Sequence, residues 1–281
     1  MNLLKALLHI VQYSNEVSLE ASTLNSNRAN AMGDALEDYV KKAFSQSLHL
    51  QAEEQKKAFQ EVFSYLGNKN NPPDMMLKNG DAIEVKKLEN AFTNLALNSS
   101  HPKRFLLADS PLITQGCKDA EEWTEKDLLY VIGVRKQNAL NALFFVYGDC
   151  FVADESIYLN LKQKINRGIV EIPDVDFSPT KELGKIKKVD PLGITDLRIR
   201  GMWHIESPFK IFKHLNLPDS HASFSFTCLM TFKKFSRFSL EDQNLLLEAQ
   251  NLGLSIQDVL IDNPNNPAKQ IQAKFITFTK P

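Results

Sequence analysis

The sequence lacks the features that mark several large classes of protein. No apolar run approaches the roughly 18 residues that a membrane span requires, so we expect no contact with a membrane. No glycine-rich phosphate loop is present, which argues against a nucleotide cofactor. The three cysteines, which are too far apart for a zinc or disulfide motif, are Cys117, Cys150 and Cys228. We therefore expect reduced thiols in a cytoplasmic protein.

The sequence also has little net charge, since 33 basic residues oppose 34 acidic ones and the formal net charge is −1. Any nucleic-acid partner would need a local basic patch. Residues 181–213 provide a candidate, because eight basic minus four acidic side chains leave a local excess of +4. The basic members are Lys181, Lys185, Lys187, Lys188, Arg198, Arg200, Lys210 and Lys213.

The amino-acid composition allows the chain to bury a substantial core, since 43% of the 281 residues are apolar. Residues 1–14, MNLLKALLHIVQYS, predict an amphipathic helix and not a signal peptide, because Lys5 and His9 interrupt the apolar run. No repeat, low-complexity tract or linker divides the chain. We expect a single domain over residues 1–281.

Helical periodicity is clearest in residues 27–44, NRANAMGDALEDYVKKAF. Its apolar side chains recur at helical spacing: Met32, Leu36, Tyr39, Val40, Ala43 and Phe44. Further helices are predicted over residues 52–65, 155–167 and 240–252, the second of them closed by Gly168.

Two apolar runs, residues 128–134 and 142–146, predict a central antiparallel pair of strands. Residues 88–100 are expected to be helical or a loop. Other strands are predicted over residues 104–109, 194–206, 222–232 and 273–279. The expected fold class is α/β, with a central mixed β-sheet flanked by helices.

Residues 71–87, NPPDMMLKNGDAIEVKK, predict a β-hairpin. Ile83 and Val85 alternate with Glu84 and Lys86 along its second strand. The apolar pair can therefore face the core while the charged pair shares the opposite face.

The position of Asp74 depends on the turn of this hairpin. A two-residue loop at residues 79–80 would place Asp74 opposite Val85, on the wrong face. A three-residue loop that begins one residue earlier, with Gly80 in the left-handed region, would place Asp74 opposite Glu84. The two Cβ atoms would then be about 5 Å apart.

Two carboxylates at this separation repel each other, and a divalent cation removes the repulsion. Mg²⁺ accepts one or two carboxylates and keeps several waters. Lys86 would hold or deprotonate an attacking water, or neutralise charge in the transition state. The plain alternative is a solvated hairpin on which Asp74 caps a turn and Glu84 and Lys86 are surface charges.

The hairpin resembles the signature of the PD-(D/E)xK nucleases, written here as Pro73-Asp74 and Glu84-Val85-Lys86. Residues 27–44 and residues 95–107, LALNSSHPKRFLL, are similar to type II restriction endonucleases. They are most similar to the NgoPII-type group, which recognises GGCC.

This resemblance implies a restriction-endonuclease-like core and a homodimer on palindromic double-stranded DNA. It also implies Mg²⁺-dependent hydrolysis that leaves 5′-phosphates. By position, Asp74 and Glu84 would bind the metal together with the carbonyl of Val85. Lys86 would manage the nucleophilic water.

In many relatives an acid on the helix before the hairpin completes the site. We assign Glu37 to this role, although the sequence does not separate it from Asp34. The catalytic core would occupy residues of about 27–170, and the DNA-recognition elements would lie within about 180–281.

Two segments predict DNA contacts. Residues 97–103, LNSSHPK, offer short polar side chains and a cation for phosphate contacts or groove entry: Asn98, Ser99, Ser100 and Lys103. Arg198 and Arg200 lie on one face of the predicted strand over 194–206, and arginine can bind guanine in bidentate fashion. The plain alternatives are a helix end with its loop for the first segment, and a solvated or phosphate-facing strand edge for the two arginines.

Other polar positions receive structural interpretations. Trp203 and His204 are taken as a buried indole and an ordinary histidine. The cations among three phenylalanines are taken as companions of core aromatic residues; they are Lys233, Lys234 and Arg237. No catalytic work is assigned to His101, His214 or His221.

The sequence thus favours a type II restriction endonuclease with one active site per subunit. Two alternatives stay open. One is a repair or recombination nuclease of the same fold that reads DNA structure or damage. The other is a DNA-binding module whose hairpin charges are not catalytic.

Overall fold

The computed structural model describes residues 1–14, 28–68, 71–136, 139–180, 183–219 and 222–280. The side chains of residues 28–32 and 68 also lie outside this description. All statements about the fold refer to these described parts.

The first part of the chain contains α1 (Leu3–Gln12), α2 (Arg28–Phe44), α3 (Ala52–Val62), β1 (Phe63–Asn68), β2 (Asn71–Leu77), β3 (Ala82–Leu88), β4 (Leu95–Ala96) and β5 (Phe105–Leu107). The middle contains α4 (Gln115–Lys118), β6 (Glu125–Lys136), β7 (Ala139–Tyr147), α5 (Glu155–Val170), β8 (Asp176–Ser178), β9 (Gly184–Lys187), β10 (Leu197–Ile199) and β11 (His204–Ile205). The last part contains α6 (Pro208–Ile211), β12 (Ser225–Thr231), α7 (Phe232–Phe235), α8 (Leu240–Glu248), β13 (Leu254–Asn263) and β14 (Asn266–Thr279).

Nine of the described strands form a central sheet in the order β1-β2-β3-β6-β7-β12-β14-β13, with β5 paired to β6 beside this path. Strand β3 is parallel to β6, and β7 is parallel to β12. The other neighbours along the path are antiparallel, including the predicted β6–β7 pair. The expected mixed sheet of an α/β fold is confirmed.

Helix α2 buries the predicted apolar face against this core. Its buried side chains are Leu36, Tyr39, Val40, Ala43 and Phe44. The side chain of Met32 lies outside the described residues. Leu36 packs directly on Gly133 of β6, where an added Cβ would stand 2.6 Å from the leucine. Glycine at this position therefore lets the helix approach the sheet closely.

Helix α1 confirms the helix predicted at the start of the sequence. The side chain of Asn2 caps it by accepting a hydrogen bond of 3.2 Å from the N–H of Lys5. His9 is buried, and its Nε2 accepts a hydrogen bond of 3.2 Å from the N–H of Leu48. Burial, and then the nearby His49, lowers the pKa of His9 to about 4. His9 is therefore neutral at neutral pH.

Some predicted helix boundaries were wrong. The helix expected over residues 52–65 ends at Val62, because the chain from Phe63 pairs with β2 as strand β1. The helix expected to close at Gly168 continues to Val170.

Some predicted strands were also wrong. The single strand expected over residues 194–206 is two short strands, β10 and β11, which pair with β9 and β4. Residues 88–100, expected to be helical or a loop, form mainly a loop, which contains the two-residue strand β4. Strand β13 had not been predicted, although it pairs along its length with β14.

The basic residues near α7 belong partly to the core, as expected. Lys234 is buried, and its ammonium group lies 2.5 Å from the carboxylate of Asp81 and 2.6 Å from that of Asp127. It also lies 4.7 Å from the ring centroid of Tyr147. Because Asp81 immediately precedes β3, this ion pair ties the hairpin to α7.

The three cysteines are free thiols and are buried, in agreement with the expectation. Among the described residues, no helix is both long enough and apolar enough to cross a membrane.

Candidate active site

The candidate site is built on the acidic hairpin, by which we mean β2, the loop at residues 78–80, and β3. Strand β2 pairs with β3 so that Met75 lies opposite Ile83. The same antiparallel register, continued one residue further from the turn, places Asp74 opposite Glu84. The loop has three residues, as the second of the two predicted turns required.

The turn differs from the prediction in one detail. Asn79, with a φ of 51°, occupies the left-handed region, and Gly80 does not. Asparagine tolerates this conformation better than most residues because its short side chain bonds locally. The N–H of Gly80 donates a hydrogen bond of 3.0 Å to the carbonyl of Leu77.

A buried ion pair from outside the hairpin clamps this turn. The ammonium group of Lys126, on β6, donates hydrogen bonds of 2.7 Å to the carbonyl of Gly80 and 3.2 Å to that of Leu77. Glu121 pairs with Lys126 and also accepts a hydrogen bond of 2.9 Å from the N–H of Asn79. These contacts of Lys126 and Glu121 were not predicted from the sequence. The one indication of them in the sequence is a lysine near the start of an apolar strand.

Asp74 is held in place by the opposite strand. Its Oδ2 accepts a hydrogen bond of 2.6 Å from the N–H of Val85. Burial, and then the charge of Glu84, raises the pKa of Asp74 to about 8, although Lys86 and the Val85 N–H act in the other direction. Two neighbouring carboxylates in a buried place therefore resist being charged together.

Glu84 and Lys86 share one face of β3, as the alternation predicted. The ammonium nitrogen of Lys86 lies 2.5 Å from Oε1 of Glu84. Burial lowers the pKa of Lys86, but the carboxylates of Glu84 and Asp74 outweigh burial and the net pKa is raised. Lys86 is therefore an ammonium ion at neutral pH.

The second carboxylate oxygen of Glu84 is evidence on whether these residues could bind a metal ion. This Oε2 is buried and has no hydrogen-bond partner among the described residues. A divalent cation would satisfy it and would offset the repulsion that raises the pKa of Asp74. In the described ranges, no group of three or more His, Cys, Asp and Glu side chains is arranged to hold a metal. Two carboxylates and a carbonyl nevertheless fit Mg²⁺, which retains waters in its coordination shell.

Glu37 lies on α2, which packs against β3. Burial is the main cause that raises the pKa of Glu37, and the charge of Asp34 adds to it. Glu37 in turn acts on the pKa values of both Asp74 and Lys86. The charge of Glu37 thus acts on the hairpin, but Glu37, Asp74 and Glu84 do not form a group of three side chains arranged to hold a metal.

The segment at residues 98–103 lies beside the site. Tyr130 of β6 pairs with Glu84 in the parallel register. Its hydroxyl accepts a hydrogen bond of 2.9 Å from the N–H of Lys103 and donates one of 3.1 Å to the carbonyl of the same residue. The ammonium group of Lys103 is buried and lies 3.2 Å from Glu155. This pairing is a structural role, and a DNA contact by Lys103 stays a prediction.

The two segments predicted to contact DNA are joined to each other. Strand β4 pairs with β11, and the N–H of Trp203 donates a hydrogen bond of 2.8 Å to the carbonyl of Asn98. Asn98 is exposed, while Ser99 and Ser100 are partly exposed. No local pattern in the sequence indicates this pairing, because about 100 residues separate the two strands.

Arg198 and Arg200 are exposed at and just beyond β10. Arg198 pairs with Lys185 of β9 across the ladder. Lys185 itself lies 2.5 Å from Asp196, one of the four acidic residues of this segment. Lys181 lies outside the described residues.

The mixed α/β fold and the acidic hairpin together define a protein of the restriction-endonuclease-like class. A sequence profile of the family described as NgoPII restriction endonuclease matches residues 1–262. The chain is 46% identical over 279 residues to the Type II restriction enzyme NgoPII of Neisseria gonorrhoeae, and the alignment covers 99% of each chain. No solved structure matches. The chain belongs to the NgoPII restriction endonuclease family, which confirms the resemblance and the expectation of a site-specific DNA endonuclease.

Proposed function

We propose that this protein is a type II restriction endonuclease that cuts both strands of double-stranded DNA at a short palindrome. We propose GGCC, or a closely related sequence, as the target and a 5′-phosphate at each cut end. The observation that carries the proposal is the grouping on the hairpin: Asp74 accepts a hydrogen bond of 2.6 Å from the N–H of Val85, and the Lys86 ammonium lies 2.5 Å from Glu84. Family membership supports the same class of reaction.

Asp74, Glu84 and the carbonyl of Val85 would hold one Mg²⁺, and Glu37 would complete the acidic set. When bound, Mg²⁺ supplies positive charge to the scissile phosphate and makes a bound water more acidic. The partnerless Oε2 of Glu84 and the raised pKa of Asp74 support this assignment.

Lys86 would act as a fixed positive charge. The carboxylates of Glu84 and Asp74 raise the pKa of Lys86, and its ammonium group would stabilise negative charge on the phosphorus. By donating to Glu84 it also orients that carboxylate, while the N–H of Val85 orients Asp74. The hairpin thus presents its charges in a geometry set before DNA arrives.

DNA contacts would come from the two joined segments beside the site. We assign phosphate or groove contacts to Asn98, Ser99, Ser100 and Lys103. Arg198 and Arg200 would read guanines. In this scheme residues 1–281 form one domain, with catalysis within about 27–170 and recognition within about 180–281. A homodimer would act on the palindrome in the cytoplasm.

A digest of plasmid DNA tests the proposal. Purified protein with Mg²⁺ should yield discrete fragments whose sequenced ends share one palindrome and carry 5′-phosphates, and chelation by EDTA should stop the reaction. Nicks confined to junctions or mismatches would instead indicate a structure-reading nuclease. DNA that is bound but stays intact with both Mg²⁺ and Mn²⁺ would indicate a non-catalytic binding module.

A further inference from the structure

Strands β8, β9 and β10 form a small three-stranded sheet that is separate from the central sheet. Of the residues in these strands, only Gly184 is buried. Strands β9 and β10 pair as a hairpin in which Leu197 lies opposite Ile186. Residues 188–196, which we call the tip loop, join the two strands, and none of them is buried. The hairpin and its tip loop therefore lie on the surface of the protein.

The tip loop holds two large apolar side chains in solvent. Leu192 is 80% exposed and Ile194 is 78% exposed, the two highest values for large apolar residues in the described parts of the chain. Single exposed apolar residues are common on protein surfaces. Two of them on one short loop are better explained by a surface that covers both, because removing apolar area from water is favourable.

The tip loop is fixed by its own hydrogen bonds. The carboxylate of Asp190 accepts hydrogen bonds of 2.9 Å from the N–H of Leu192 and 2.6 Å from that of Thr195. The N–H of Val189 donates one of 2.8 Å to the carbonyl of Thr195. Gly193, with a φ of 66°, takes the left-handed conformation that glycine adopts readily. The two apolar side chains are thus displayed on a loop whose shape is set before a partner arrives.

Positive charge surrounds the tip loop. Residues 184–200 contain five basic and two acidic side chains, a local excess of +3. The basic side chains are Lys185, Lys187, Lys188, Arg198 and Arg200. Both acidic residues bond within the hairpin: Asp190 holds the tip loop, and Asp196 accepts a hydrogen bond of 3.2 Å from the N–H of Lys188. Duplex DNA is complementary to such a surface, because its phosphates are anionic and its bases offer apolar contacts within the grooves.

The chain that leaves the hairpin is tied to the neighbourhood of the candidate active site. Strand β11 follows β10 and pairs with β4. The N–H of Trp203 bonds to the carbonyl of Asn98, and the N–H of Lys103 bonds to the hydroxyl of Tyr130. Tyr130 lies opposite Glu84 in the sheet. The polyanion on which this family acts is therefore a partner that the hairpin can meet.

We propose that Leu192 and Ile194 form an apolar wedge that enters a groove of the bound duplex and packs against its bases, while Lys187 and Lys188 contact phosphates. A two-stranded β-ribbon fits the major groove, and DNA-binding proteins use apolar side chains against or between bases. The inference rests on the proposed function, since the duplex must lie at the acidic hairpin. It adds an apolar contact to the polar contacts assigned there.

The salt dependence of DNA binding tests the wedge. The full chain is titrated, in EDTA so that the DNA stays uncut, onto a fluorescent duplex in which every palindrome of the length of GGCC occurs. The double variant Leu192→Ala with Ile194→Ala should bind at least about 10-fold more weakly at every salt concentration. The slope of log affinity against log salt should stay unchanged, because an apolar contact releases no counterions. Lys188→Ala should instead reduce the steepness of that slope by about 1.

The matched control is Leu240→Ala, which alters a leucine that is 76% exposed at the start of α8 and should bind like the wild type. Wild-type affinity in the double variant, a loss that disappears at high salt, or a wild type that does not bind the duplex overturns the wedge. Because both wedge side chains are exposed, these substitutions remove no contact from the core.

A fluorescent label provides a second test. The native cysteines are buried, so the cysteine introduced by Leu192→Cys is the target for a bimane reagent. Binding of the same duplex should protect this label from quenching by acrylamide, whereas a label introduced by Leu240→Cys should stay accessible. Equal protection of the two labels, or none at residue 192, overturns the proposal. Protection at residue 192 before DNA is added would assign the tip loop to a protein surface and would also overturn it.

These outcomes are separate from those of the nuclease proposal. A protein that binds DNA through Leu192 but leaves it intact with Mg²⁺ would overturn the proposed activity and retain the wedge. A protein that cuts at one palindrome, and whose double variant binds as tightly as the wild type, would do the reverse.

Discussion

The ammonium group of Lys126 donates a hydrogen bond of 2.7 Å to the carbonyl oxygen of Gly80, in the turn of the acidic hairpin. Lys126 lies on β6, which is next to β3 in the sheet. Its side chain therefore holds the turn that sets the register of β2 and β3. That register decides whether Asp74 lies opposite Glu84. The bond therefore connects a buried structural lysine to the geometry of the candidate site.

Lys126→Met should lower the cleavage rate by about 10- to 100-fold, because a loosened turn misplaces the reacting groups. It should also destabilise the fold by about 2–4 kcal/mol, since Glu121 is left without its partner. Single-turnover cleavage and urea unfolding measure the two effects. The matched control is Lys56→Met, which alters an exposed lysine on α3. A variant that is less stable but cuts at the normal rate would show that the hydrogen bonds of Lys126 do not position the reacting groups.

Asp74→Asn and Lys86→Ala should each reduce cleavage by about 1,000-fold or more, because they remove a metal ligand and the fixed positive charge. Specific DNA binding should be largely retained, since neither group is assigned to read bases. Quantitative cleavage and a gel-shift assay on the same duplex separate the two properties. Full activity in either variant would remove that residue from the site.

Glu37→Gln should raise the Mg²⁺ concentration needed for half-maximal cleavage by about 10-fold, because a weaker acidic set binds the cation less tightly. Asp34→Asn, one helical turn away, is the matched control and should change it little. A titration of cleavage rate against Mg²⁺ compares the variants directly. The reverse order of effects would transfer the role to Asp34.

Arg198→Ala and Arg200→Ala should each reduce discrimination between the target and single-base variants by about 1–3 kcal/mol per lost bidentate contact. Cleavage rates on a set of duplexes that differ at one base pair measure this discrimination. Arg237→Ala, which alters an exposed arginine that pairs with Asp127, is the control. If overall binding falls while discrimination is unchanged, both arginines contact the backbone instead.

His9 should make the fold sensitive to mild acid. Its pKa is about 4 in the folded protein, because burial disfavours the charged form, against about 6.5 in an unfolded chain. The stability that it contributes is therefore complete above pH 6.5 and is lost as the pH falls towards 4.

Urea unfolding at a series of pH values checks this behaviour. The free energy of unfolding should fall more steeply between pH 6.5 and 4 in the wild type than in His9→Gln, which does not titrate there. His214→Gln, at an exposed histidine, should keep the steep slope. Equal slopes for wild type and His9→Gln would show that His9 does not control acid stability.

Local sequence patterns predicted a large part of the fold. Helix α2 follows from helical periodicity, and the β6–β7 pair follows from two apolar runs. The sequence was compatible with two turns in the hairpin. The three-residue turn was preferred because only that turn sets Asp74 opposite Glu84, where the two carboxylates can bind one cation. The residue that takes the left-handed conformation, Asn79, was not foreseen. Strand β1 was read as the end of a helix because its apolar residues suit either element.

By itself the sequence determined the class of element in its strongly periodic segments, the motif of the hairpin and the family to which the chain belongs. Only the tertiary structure decided that Lys126 clamps the turn, that Glu37 reaches the hairpin charges, and that β4 joins β11. The physical reason is the range of the interactions. Periodicity and turn chemistry act over a few neighbouring residues. Each of these features depends instead on residues that are distant in sequence and come together only when the sheet has assembled.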